Sequence, residues 1–155
     1  MRMIKFISIT IIIIAFFQLP VLFINSENGL IMLRPVIPGF NELVYSYTHS
    51  VEKGEVNEYF QVTREGFVLD KTTFTSQGAG LPLDRGEFAE QNGLFVRTGQ
   101  EVFFPEINIR LARTQGQTVM IWGSQKNMQK WGEPGTRVEF SIMPLANIPG
   151  EILTY

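Results

Sequence analysis

The chain has 155 residues, 45% hydrophobic and 18% charged, with a formal net charge of −2 and no cysteine. This is a folding composition. Its mild acidity without a basic run argues against nucleic-acid binding, which needs clustered Lys and Arg to neutralise phosphates. The missing cysteine excludes disulfides, thiolate metal sites and a Cys nucleophile, so stability must come from core packing.

The first 24 residues open with Arg2 and Lys5, followed by an uncharged, mostly apolar run from Phe6 to Ile24. As a helix this run reaches roughly 28 Å, close to the ~30 Å of bilayer hydrocarbon. The two positive charges would stay in the cytoplasm and the remainder would lie outside. A retained signal anchor is the leading expectation. The alternative is a cleaved signal peptide and a secreted domain, for which Ser26 is the available, weak cleavage position. Residues 25–41, with two prolines and two glycines, read as a linker carrying an edge strand at Leu30–Leu33.

From residue 42 to 155 the pattern is all-β. The stretches "ELVYSYTHSV", "VNEYFQV", "GFVLDKTTF", "LFVRT", "INIRLA", "TVMIWG" and "RVEFSIM" are short, rich in Val, Ile, Phe, Tyr and Thr, and separated by turn residues. They predict a small antiparallel β-sandwich or barrel-like domain after the N-terminal segment. "DRGEFAEQNG" admits a short helix capped by Asp84 and ended by Gly93, although Gly86 argues against it.

The one histidine lies in "YSYTHSVEKGEVNEYF". A hairpin turn at Lys53-Gly54, or a wider one over Glu52–Glu55, would place His49 opposite Glu58, Tyr47 opposite Phe60 and Tyr45 opposite Val62. A half-buried His49–Glu58 pair would be either an acid/base or ligand-clamping pair, or a structural pair that satisfies the imidazole and sets the register. One histidine with carboxylates lacks the spacing of a metal site, and none is expected. Ser50 and Ser76 lack the base and oxyanion hole that a serine nucleophile requires.

In "FTSQGAGLPLD" the glycines Gly78 and Gly80 suit either a tight bend leaving a strand or an anion-facing loop. The endings of phosphate and dinucleotide loops are absent, and no cofactor is expected. Trp122 and Trp131 flank "GSQKNMQK" and read as core residues around a hairpin loop, or as a stacking platform for a ligand.

The blocks "YTHSVEKGEVNEYF" and "SQGAGLP", between Leu43 and Leu83, resemble the bacterial family called domain of unknown function 1850. The resemblance carries the family's blocks onto His49, Ser50, Glu52, Glu58, Gly78, Gly80 and Pro82. Gly54-Glu55 stands where the family pattern has a Pro-containing turn. The resemblance implies a small exported or membrane-anchored protein associated with TAXI-type tripartite ATP-independent periplasmic transporters. The partners it implies are the permease or its solute-binding protein. The expected function is thus that of a membrane-anchored, extracytoplasmic accessory or binding domain. The alternatives are an exported enzyme using His49 and Glu58, and a structural envelope protein. The candidate binding residues are His49, Ser50, Glu52, Glu58, Ser76, Gly78 and Gly80.

Overall fold

The computed structural model describes residues 17–37, 39, 41–50, 53–76, 86–113 and 116–148. The strands run in chain order: β1 Pro20–Ser26, β2 Gly29–Pro35, β3 Glu42–Thr48, β4 Glu55–Val62, β5 Phe67–Phe74, β6 Glu87–Gln91, β7 Leu94–Phe104, β8 Glu106–Arg110, β9 Thr118–Ile121, β10 Ser124–Asn127 and β11 Arg137–Pro144. They form two antiparallel sheets, one ordered β2-β1-β11-β8 and one ordered β10-β9-β3-β4-β5-β7-β6. Leu22, Ile24, Val138, Phe140 and Ile109 of the first sheet share one buried cluster with Leu43, Phe60, Val62, Phe67, Leu69, Val119 and Ile121 of the second. The core therefore lies between two stacked sheets, as in a β-sandwich. All seven stretches predicted as strands are strands.

The N-terminal boundary differs from the sequence expectation. The last part of the apolar run, from Pro20, is strand β1 in the middle of the smaller sheet, between β2 and β11. Leu22 and Ile24 face the inter-sheet core, while Val21 and Phe23 pack on the other side with Ile148, Leu33 and Met143. A strand buried on both faces is continuously apolar, and periodicity cannot separate it from a buried helix. Pro20 is the local clue: proline is tolerated as the first residue of a strand. The segment expected as a linker begins inside β1 and supplies the edge strand β2, which forms a hairpin with β1. Cleavage at Ser26 would remove a central strand. Among the described residues no helix is long and apolar enough to cross a membrane. Residues 1–16 of the expected anchor lie outside the described residues.

In "DRGEFAEQNG" the described residues, from Gly86 on, form half of a hairpin rather than a helix, and the expected cap Asp84 lies outside them. Glu87–Gln91 is β6, and Asn92-Gly93 is the two-residue turn into β7, with φ of 55° and 76°. Asn-Gly is the favoured pair for a type I′ turn, which needs positive φ at both positions. Gly86 also has a positive φ of 81°, and a side chain there would strike the carbonyl of Thr98.

Leu22 is fully buried, so Leu22→Ala should lower unfolding stability by about 2–5 kcal/mol. Denaturant titration checks this; a loss under 1 kcal/mol would mean that β1 does not belong to the core.

Candidate functional site

The β3–β4 hairpin is closed by a wide turn. His49 N–H donates to Gly54 O at 2.8 Å, and Lys53 N–H donates back to His49 O at 3.0 Å. Lys53 takes a left-handed φ of 56°. The loop is therefore Ser50–Lys53, and the register follows from it: Leu43 faces Phe60, Tyr45 faces Glu58 and Tyr47 faces Val56. This corrects the expected pairing of His49 with Glu58 and of Tyr47 with Phe60. The physical reason is turn placement: the loop closes two residues earlier than a turn centred on Lys53-Gly54. The shift is even in register, so the same side chains still share a face. His49 stands four residues along β3 from Glu58's true partner, roughly 13 Å away at strand rise.

Glu58 sits in a row of side chains that crosses the sheet. Successive pairings align Val119, Tyr45, Glu58, Thr72, Arg97 and Phe88 from β9 to β6. Thr72 and Arg97 are buried, and the Thr72 hydroxyl donates to Gln100 Oε1 at 2.7 Å. The Arg97 guanidinium carbon lies 5.6 Å from the centre of the Phe88 ring. Tyr45 and Tyr47 stack with ring centres 5.0 Å apart. The Tyr47 hydroxyl donates to Glu58 Oε1 at 3.5 Å, the outer limit of a hydrogen bond. Gln117 ties the next loop to this row. Its Nε2 donates to the Tyr45 hydroxyl at 2.8 Å, and its Oε1 accepts from Ala112 N–H at 2.6 Å.

The electrostatics follow from burial. Removal from water raises the Glu58 carboxyl from an ordinary 4.5 to about 6, against the smaller, lowering effect of the Tyr47 hydrogen bond. Burial also raises Tyr45 to about 12, offset in part by Gln117 and reinforced by the Glu58 charge. Tyr47 moves up further still, through burial and then the same charge. Both phenols stay protonated near neutrality and can donate to a carboxylate.

The turn end of the hairpin meets two other segments. Glu55 N–H donates to Thr75 Oγ1 at 2.9 Å, and a side chain on Gly54 would collide with the Ser76 hydroxyl. On the other side a Cβ on Gly116 would come within 2.9 Å of Thr48 Oγ1. A pocket of about 300 Å³ opens here, lined by Tyr47, Thr48, His49, Ser50, Gly116 and Gln117 among others. The structure thus brings His49, Ser50 and Ser76 to one end of the sheet, with Glu58 further inward, beyond the Tyr47–Val56 pair. Glu52, Gly78, Gly80 and Pro82 lie outside the described residues. Among the described residues no group of three metal-ligating acids or histidines converges. Sequence reasoning missed Gln117, Thr72, Arg97 and Gln100. Only the alternation in "DKTTF" marked Thr72 as inward-facing, and nothing local marked the other three.

The segment that supplies this end of the sheet is also the segment that a family model recognises. A model described as domain of unknown function (DUF1850) matches residues 43–128, more than half of the chain. The chain belongs to this family. The match spans β3 to the residue after β10, and so includes the His49 hairpin, the Glu58 row and the loop holding Gln117. No curated protein and no solved structure matches the chain.

Because Glu58 binds its proton more tightly when folded, its ionisation opposes folding. The penalty is absent below about pH 4.5, grows as pH rises to about 6 and is complete above it, reaching about 2 kcal/mol. Glu58→Gln removes the charge. Relative to wild type, the variant should gain about 2 kcal/mol in stability between pH 4.5 and pH 7.5. Paired denaturation curves at the two pH values measure it; a pH-independent difference would show that Glu58 is not shifted.

Proposed function

We propose that this family member is a non-catalytic, extracytoplasmic binding module, held at the cell membrane by its N-terminal segment, that assists a solute transporter. Its contact with the permease or the solute-binding protein is formed at the turn end of the β3–β4 hairpin. The reading is supported above all by the register: the one histidine of the chain and the Glu58 carboxyl, held near 6, are on different rows of the sheet. An exported enzyme working through a His49–Glu58 pair needs the two opposite each other, and Tyr45 occupies that position. Close loop packing around Gly54 and Gly116 gives this end a defined polar shape, which suits recognition of a partner surface. The membrane placement rests on Arg2, Lys5 and the apolar residues that precede β1, and the transporter rests on the family resemblance. Both go beyond the geometry of the domain.

The test is solute uptake by cells carrying variants at matched protein levels, with isolation of the intact protein from membranes. His49→Gln should retain uptake within about twofold, whereas loss of a general acid or base lowers a rate by roughly 10²–10⁴. Ser50→Lys, a charge at the exposed turn, should abolish both uptake support and co-isolation of the permease. Complete loss of uptake with His49→Gln, in a domain still folded by circular dichroism, contradicts the proposal.

A further inference from the structure

We propose that a second site lies at the opposite end of the β3–β4 hairpin, a cleft that binds a neutral polyhydroxylated ligand of the saccharide class. The cleft encloses about 530 Å³, against about 300 Å³ for the pocket at His49. Tyr59 and Trp122 line it together with the polar side chains of Glu42, Gln61, Asp70 and Lys71. Glu42 and Thr48 bound β3, so the two sites are roughly 20 Å apart along the strand.

Two features show that the sheet departs from regularity at this cleft, and a third fixes its wall. First, Asp70 is an extra residue on β5. Tyr59 pairs with Lys71 and Phe60 with Leu69, leaving Asp70 between them, and the β5–β7 register breaks at the same place. A bulge inside a sheet re-aims a side chain and is found beside functional sites. Second, Trp122 is the first residue of the two-residue β9–β10 turn, with a left-handed φ of 47°. Asn, Asp or Gly is the ordinary occupant there, and a bulky aromatic in this region is strained. Its indole Nε1 is buried with no hydrogen-bond partner among the described residues. Strained backbone and an unmatched donor both raise the energy of this arrangement, as expected where binding rather than stability dictates the residue. Third, Lys71 Nζ sits 3.8 Å from the centre of the Tyr59 ring. That contact holds the cation and the ring at a fixed position on the cleft wall.

The ligand class follows from the inventory of groups. Two carboxylates against one ammonium disfavour an anion. Lys71 and the Gln61 amide are donors that a purely cationic ligand leaves unmatched. Hydroxyl groups both donate and accept, so a polyol satisfies the carboxylates and the donors together. Aromatic faces cover the apolar C–H surface of a sugar ring. This site stands independently of the transporter reading.

The experiment uses the full chain in a detergent without a sugar headgroup. Glucose, galactose, mannose, maltose, cellobiose and trehalose serve as neutral probes, with glucosamine and glucuronate as the charged arms. The indole N–H resonance of Trp122 reports binding, and that of Trp131 is the internal control. At least one neutral sugar should shift the Trp122 signal saturably and leave Trp131 in place. Asp70→Asn and Lys71→Met should each weaken that binding about tenfold or more, the scale of a lost charge-assisted hydrogen bond. His49→Gln should leave it unchanged. No saturable shift with any neutral sugar, tighter binding of a charged probe, or unchanged affinity in both Asp70→Asn and Lys71→Met folded variants overturns the proposal.

Discussion

The register of β3 against β4 is the constraint on which the rest depends, and two backbone hydrogen bonds set it. The bonds from His49 N–H to Gly54 O and from Lys53 N–H to His49 O close the loop over Ser50–Lys53. That closure aligns Tyr45 with Glu58, and successive pairings carry the row on to Thr72 and Arg97. A carboxyl that accepts from a phenol rather than from an imidazolium is only partly compensated for its desolvation, so its proton is held more tightly. The same closure leaves His49 at the rim, beside Ser50 and near the Gly116 loop. One choice of turn therefore separates the half-buried Glu58 from the polar rim at His49.

What was legible in the sequence was parity. Alternation in "ELVYSYTHSV" and "VNEYFQV" placed Leu43, Tyr45 and Tyr47 on one face with Glu58 and Phe60, and they share a face in the structure. Parity does not determine which residues stand opposite each other, because that depends on loop size. Glu-Lys-Gly-Glu is compatible with more than one closure. Likewise Val21-Leu22-Phe23-Ile24 is equally apolar in a membrane helix and in a strand covered on both faces. Only its neighbours in space, β2 and β11, decide between them. The Asn92-Gly93 turn was legible in principle, since its type I′ preference outweighs a capping pattern that contains Gly86. Gln117 was not legible, because its role comes from contacts with Tyr45, Arg110 and Ala112 rather than from its own segment.

The matched family segment runs from the β3 core residue Leu43 to the buried Met128. It covers the seven strands of the larger sheet apart from Glu42, together with β8 of the smaller sheet, whose β1 and β2 precede the segment and whose β11 follows it. The smaller sheet closes the core behind the segment that carries both candidate sites. Leu22 and Phe140 pack with Phe60 and Phe67 in one cluster, so loosening β1 would be felt at the hairpin.

The absence of cysteine gives a clean test of the register. Ser46 and Asn57 face each other on the outer side of the hairpin. By alternation from the hydrogen-bonded His49–Gly54 pair they occupy a non-hydrogen-bonded position, where side chains are closest. Ser46→Cys with Asn57→Cys should oxidise rapidly to an intramolecular disulfide, and Ser50→Cys with Asn57→Cys should remain reduced under the same conditions. Efficient bridging of the second pair and failure of the first would restore the His49–Glu58 alignment and contradict this account.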